Sequence, residues 1–284
     1  MGLIHFQPSE AGLFRKIFLM LYAKFEIPYL RLNYLILRYA YPSKILKLLF
    51  TPLVYLNAFI MLRYGQHGHV MTVKEIEDML EGYDKILIAV GSCRCRVASP
   101  EACDCNVKTD ITIRTGADVY KRNFPEDYRV ITKKEAVELI REFNKKGLIP
   151  TVYTFCMCGG AQHKFVICNC CSHACIPYLA QKIAKLHTYD PGKYVAEVNM
   201  ESCVGCGTCV DICQPHARKL VNNKAVVNPY LCVGCGACAE VCPNNATRMV
   251  ERPREVLEKQ LRPLRSFALV HPLKEGYLTH SHTH

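Results

Sequence analysis

The sequence predicts an α+β protein of three unlike parts followed by a short tail. Three observations carry that expectation. Residues 1–66 are apolar, basic and punctuated by Pro28, Pro42 and Pro52. Residues 67–197 alternate short β-branched runs with capped helical segments. Residues 198–250 repeat one cysteine spacing, and 251–284 form a charged strap and tail. A chain of 284 residues has room for two domains, or for one with appendages.

The N-terminal part holds eight basic residues (Arg15, Lys16, Lys24, Arg31, Arg38, Lys44, Lys47, Arg63) against Glu10 and Glu26, more than half of the net charge of +11. Leu, Ile, Phe, Met and Tyr fill the space between the prolines, so each segment is expected to be helical between them. Lys24, Arg31 and Arg38 are seven apart and share a stripe on a helix. The longest uncharged run, Leu48 to Leu62, falls short of the roughly 20 residues of a spanning helix. The pattern points to helices lying in a membrane interface with basic groups toward lipid phosphates. A face against a partner subunit and a helical cap on the protein's own core are the competing readings. No nucleic-acid reader motif is present, and the apolar density argues against nucleic acid.

The middle part reads as a cysteine-rich α/β unit. A helix is expected over Met71–Glu81 with Thr72 as N-cap, and strands over Lys85–Val90 and Asp110–Val119. Thr132 and Glu135 have capping-box spacing ahead of a helix that ends at Gly147. Strands at Thr151–Phe155 and Lys164–Ile167 and a helix at Ile176–Leu186 follow. Ten cysteines fall at strand ends and turns: Cys93, Cys95, Cys103, Cys105, Cys156, Cys158, Cys168, Cys170, Cys171 and Cys175. Ten thiols suffice for one or two further metal centres. Iron–sulfur is the preferred expectation and zinc the alternative, since C-x-C spacing serves both. Cys93, Cys103, Cys168 and Cys171 lead as ligands, and buried unligated cysteines are the bland reading. Arg94 and Arg96 read either as cations that offset cluster charge or as exposed turn residues. His163 and His173 lie near the cysteines and read as ordinary polar residues, with metal ligation the alternative; the His280–His284 end reads as a solvated tail, with adventitious metal binding the alternative.

The last part is the most specific. Cys203, Cys206, Cys209 and Cys213 have the spacing C-x2-C-x2-C-x3-C, and Cys232, Cys235, Cys238 and Cys242 repeat it. Three thiols two residues apart wrap one corner of an iron–sulfur cube, and no such turn reaches the last iron. Zinc sites pair C-x2-C with a distant second pair, which explains this pattern poorly. Gly205, Gly207, Gly234 and Gly236 permit close backbone approach. Lys219–Val227 alternates around Asn222-Asn223 and reads as a hairpin. Residues 200–250 thus resemble the bacterial two-[4Fe-4S] ferredoxin domain. That resemblance implies a dicluster ferredoxin-like C-terminal domain with crossed ligation. Cys203, Cys206 and Cys209 would share one cluster with Cys242, and Cys232, Cys235 and Cys238 the other with Cys213. Gln214-Pro215 after Cys213 departs from the family's immediate proline. The C-R-C-R turn, the C-N-C-C block and the ferredoxin module together are similar to a family of ferredoxin-domain fusion proteins. The vicinal Cys170-Cys171 pair resembles those of some disulfide-handling reductases.

The resemblance implies one-electron transfer between redox partner proteins. Reduced thiolates imply a reducing interior. The start of the chain shows no secretory signal. A cytoplasmic protein, peripheral on the inner face of the cell membrane and anaerobic, is the expectation. P-loop, G-x-G-x-x-G and nucleophile-elbow motifs are absent from the sequence. An electron-transfer component is therefore expected rather than a stand-alone enzyme. The alternative is a reductase with a catalytic metal centre in the middle domain, fed by its own ferredoxin domain.

Overall fold

The computed structural model describes residues 13–64, 66–102, 108–155 and 164–262. Helix α1 (Leu13–Leu35) runs straight through Pro28, and α2 (Lys44–Tyr64) runs through Pro52. The sequence led us to expect breaks at both. Each proline lies on its helix's exposed face, as does the residue four before it, Lys24 or Leu48. There the carbonyl freed by the missing N–H is placed to meet water instead of being buried. The chain does break at a π-turn (Ile36–Ala40) leading to Pro42.

A seven-stranded mixed sheet forms the body, in the order β4-β2-β3-β6-β5-β1-β7. Its strands are β1 (Gln66–Val70), β2 (Ile88–Gly91), β3 (Asp110–Ile113), β4 (Arg129–Val130), β5 (Ile149–Phe155), β6 (Lys164–Cys170) and β7 (Tyr189–Asp190). Helix α3 (Val73–Glu81) opens with a full capping box: Glu75 N donates to Thr72 Oγ1, and Thr72 N donates back to Glu75 Oε2. Helix α6 (Lys133–Lys145) shows half of that box, the Thr132 hydroxyl accepting from Glu135 N while the Glu135 carboxylate pairs with Arg129. Both pack on one sheet face through Ile76, Leu80, Ile140 and Phe143. On the other face lie α1, the short α4 (Arg94–Ala98), α5 (Thr115–Asn123) and α7 (Ile176–Ala184).

One strand is shorter than the sequence suggests. Asp110–Val119 leaves the sheet after Ile113, because Arg114 takes φ +54° and α5 begins at Thr115. Gly116 permits the turn: a Cβ there would lie 2.4 Å from the Phe165 carbonyl oxygen.

Leu19, Ala23, Glu26, Leu30 and Tyr34 line the inner side of α1 and are buried. The N-terminal region is thus a cap on the protein's own core. Its outer side is another matter: Phe25 is 69% exposed, Ile45 81% and Leu48 79%. No helix among the described residues is long and apolar enough to cross a membrane.

The C-terminal unit pairs β8 (Tyr194–Val198) with β11 (Thr247–Glu251) and β9 (Arg218–Val221) with β10 (Lys224–Val227). Short helices α8 (Thr208–Asp211) and α9 (Ala237–Glu240) follow the two cysteine loops, and α10 (Arg254–Leu261) closes the described chain. The β9–β10 turn is Asn222-Asn223, both at positive φ. This unit packs firmly on the body. Gly192 N donates to Val233 O at 2.7 Å, and Arg141 pairs with Glu240 at 3.3 Å. Gln214, the departure from the family pattern, accepts from Ser172 N at 2.5 Å.

Candidate iron–sulfur sites

The two cysteine loops have matching geometry. Gly205 (φ +72°) and Gly234 (φ +82°) lie so close to neighbouring backbone that a Cβ would fall 2.1 Å from Asn223 O or 2.2 Å from Tyr194 O. Backbone amides point at the sulfurs: Ala225 N at Cys203, Ala217 N at Cys213 and Ala246 N at Cys242, at 3.4, 3.3 and 3.2 Å. At Cys203 the Ala225 amide draws the thiol's pKa below its ordinary value, whereas at Cys213 burial outweighs the Ala217 amide and raises it. Cys203, Cys206, Cys209 and Cys242 line one small pocket. Cys213 instead lies with Cys232, Cys235 and Cys238. The two groups of four draw three thiols from one loop and the fourth from the other.

Two buried guanidiniums differ in a telling way. Arg252 donates to the carbonyls of Gly192, Cys232 and Tyr194 and to Gln260 Oε1. Arg218 is equally buried, yet its Nη atoms meet no oxygen acceptor among the described residues and lie instead beside sulfurs, Cys209 within bonding reach. Burial opposes its charge, and the Cys238 and Cys209 thiolates beside it outweigh that and hold its pKa up. A buried cation beside thiols and without an oxygen acceptor fits an anionic group held there.

Residues 196–219 and 225–248 each match the family described as 4Fe-4S binding domain. The C-terminal unit is a dicluster ferredoxin domain. The search of curated proteins found no match to the chain. The ferredoxin domain provides sites for two [4Fe-4S] clusters and gives the chain an iron–sulfur electron-transfer function.

A third group of thiols lies in the body. Cys168 and Cys170 point the same way from β6. Cys175 lies at the start of α7, and Cys93 and Cys95 flank Arg94. The thiols of Cys95, Cys175, Cys170 and Cys168 touch in a continuous row. The Cys168 and Cys175 thiols donate to Cys170 and push its pKa well down. Cys171 faces away from the row toward the α3–α6 side of the sheet, where Ala174 N donates to it at 3.4 Å. His173 is exposed. Cys103, Cys105, Cys156, Cys158 and His163 lie outside the described residues, as does the His280–His284 tail. Among the described residues no three His, Cys, Asp or Glu side chains converge on a single-ion position. That includes the ferredoxin thiols, since a cube takes one thiolate at each of four separate irons.

Arg94 and Arg96 are buried, so the exposed-turn reading is corrected. Arg96 donates to Thr109 Oγ1 and to Asn169 O, and its charge draws the Cys171 pKa below the ordinary thiol value against the effect of burial. Arg94 lies 4.1 Å from the centre of the Phe124 ring, with Glu26 and Asp127 at 3.4 and 3.8 Å. Arg94, Arg96, Glu26 and the row line a cavity of about 150 Å³. Its far wall comes from α1 and α2: Tyr22, Glu26, Tyr29, Asn33, Val54 and Asn57. Tyr120 OH donates to Glu26 at 2.5 Å, Asn57 accepts from Tyr29 OH at 2.8 Å, and Tyr128 OH donates to Asp110 at 2.7 Å. Burial pushes the Glu26 carboxyl up to about 7 and that of Asp110 to about 6.

Sequence reasoning missed Glu26, Asp110, Tyr120 and Arg218. Glu26 left a trace: it is the one acid among the described residues of two basic, apolar helices.

The thiol row is next to the ferredoxin domain. Tyr178, on α7, has Cys175 of the row and Cys213 and Cys235 of the ferredoxin domain as neighbours. Its ring stacks on Tyr189 at 6.2 Å. Cys235 packs in the same core cluster as Cys170 and Cys175, whereas Cys206 is exposed.

Proposed function

We propose that this chain is a multi-cluster electron-transfer protein whose interior thiol row holds a further iron–sulfur centre. In this reading Cys203, Cys206, Cys209 and Cys242 hold one ferredoxin cluster, and Cys213, Cys232, Cys235 and Cys238 the other. Cys95, Cys168, Cys170 and Cys175 are the nearest candidates for the third centre, with Cys93 alongside. Bound clusters supply reversible one-electron chemistry at potentials tuned by ligands, hydrogen bonds and burial. The chain's own residues bind, shield and orient. The observation that carries the reading is a row of four neighbouring thiols, Cys170 and Cys175 buried and Cys95 and Cys168 half-buried, beside the core cluster that holds Tyr178 and Cys235.

The apolar outer side of α1 and α2 supports attachment to a membrane surface, with Lys24, Lys44 and Lys47 exposed on the same helices and Arg38 on the turn between them. A low-potential soluble donor and a membrane-associated acceptor are the partners this arrangement suits.

A second reading has its own support. The cavity runs from the thiols to a buried carboxyl–phenol pair, Glu26 and Tyr120, as a site that moves protons with electrons requires. That favours a reductase whose substrate enters the cavity and whose electrons come from the ferredoxin domain.

Anaerobic iron, sulfide and zinc analysis with EPR of the reduced protein tests the proposal. About twelve irons per chain are expected, with a third EPR signal. About eight irons with zinc would confine redox work to the ferredoxin domain and sink the third centre.

A further inference from the structure

The two ferredoxin loops are related by an internal repeat, and the repeat is broken at one buried position. Cys232 follows Cys203 by 29 positions, and Thr247 follows Arg218 by the same 29. Both residues open a strand, one position after an alanine whose amide donates to the last cysteine of its loop. Thr247 lines the pocket of Cys203, Cys206, Cys209 and Cys242 with a short neutral side chain. Arg218 puts a guanidinium at the corresponding place in the other half. Its guanidinium has Cys238 and Cys213 of the Cys213, Cys232, Cys235 and Cys238 group beside it and also bonds Cys209 of the other, while its backbone directly follows the alanine whose amide donates to Cys213.

We propose that Arg218 makes the two ferredoxin sites unequal in reduction potential, drawing the electron to the Cys213, Cys232, Cys235 and Cys238 side. This rests on the reading that both sites hold clusters. Taking up one electron adds one negative charge to a site. A fixed cation whose N–H donors are not spent on carbonyls stabilises that added charge, and burial keeps salt from screening it. Thr247 offers the other site no such charge. Arg252, the other buried guanidinium of this domain, spends its donors on carbonyls. The favoured site is the one packed against Tyr178 and the thiol row, and the disfavoured one carries the exposed Cys206. Arg218 thus biases the electron inward, toward the body of the protein.

The test is an EPR-monitored redox titration of the full chain with dithionite as electron source, with iron counted in each sample. The wild-type ferredoxin sites should titrate at two midpoints at least tenfold apart in equilibrium constant, 59 mV for a one-electron couple. Arg218→Thr, which copies the repeat partner, should lower the higher midpoint at least tenfold and narrow the gap with iron retained. Arg218→Lys should keep most of the separation. If Arg218→Thr sheds iron, Arg218→Lys against Arg218→Gln decides: the first must hold the higher midpoint and the second must lose it. A single wild-type midpoint overturns the proposal. So do unchanged midpoints in Arg218→Thr with full iron, or equal midpoints in the Lys and Gln variants. A wild-type protein with fewer than about eight irons would instead overturn the reading that both sites are filled.

Discussion

Asn144, on α6, donates its Nδ2 to the carbonyl oxygen of Cys235, 3.1 Å away. The same Nδ2 also bonds Leu148 O, closing the end of its own helix. One side chain from the body therefore holds the loop that carries a cluster-site thiol. Asn144→Ala strands a buried carbonyl at Cys235. We expect a loss of about 1–3 kcal/mol in unfolding free energy. Anaerobic denaturant melts followed by the cluster absorbance will measure it, and an unchanged midpoint would show that the bond carries no weight.

Within the thiol row, Cys170 is the hub, touched by both Cys168 and Cys175. Cys170→Ser should abolish the third EPR signal while both ferredoxin signals survive. Cys171→Ser, which alters a thiol facing the other side of the sheet, should leave all three. The reverse result would move the centre to the α3–α6 side.

Glu26 sets a pH dependence. Its folded pKa, near 7, lies above the ordinary carboxyl value of 4.5 because burial penalises the charge. Between those values the folded chain keeps a proton that the unfolded chain has released. Stability therefore falls as pH rises through that window, by on the order of 2–3 kcal/mol. Asp110, also raised by burial, moves in the same direction. Glu26→Gln should flatten part of this slope in melts between about pH 5 and 8, and a slope as steep as wild type would remove Glu26 from the account.

Ile45 and Leu48 lie one turn apart on the outer side of α2 and are almost fully exposed. The double variant Ile45→Glu, Leu48→Glu should reduce binding to anionic liposomes at least tenfold in a flotation assay while keeping wild-type iron content. If the wild-type protein does not float, the outer face covers a partner subunit instead.

Much of this was legible in the residues. Thr72 and Thr132 announced their helices through side-chain chemistry that acts within four residues, and Asn222-Asn223 announced its turn. The ferredoxin spacing is legible for the same reason, since a tight loop fixes three thiols locally. What stayed hidden was long-range. Cys95, Cys168, Cys170 and Cys175 meet only because β6, α4 and α7 converge on one sheet face. Pro28 misled because a proline's effect depends on which side of the helix faces water. Arg218 was visible only by laying one repeat over the other and noticing that charge stands opposite Thr247.

Helix α1 has two sides with two duties. Leu19 and Ala23 complete the core, Glu26 meets Tyr120 and Arg94, and Phe25 on the reverse side faces outward. The outward face and the cavity wall are one piece of polypeptide, so α1 cannot be cut away without opening the body. Trimming α1 would strip the roof from the thiol cavity and leave Arg94 with Asp127 but without Glu26, so the shortened protein would no longer enclose the same site.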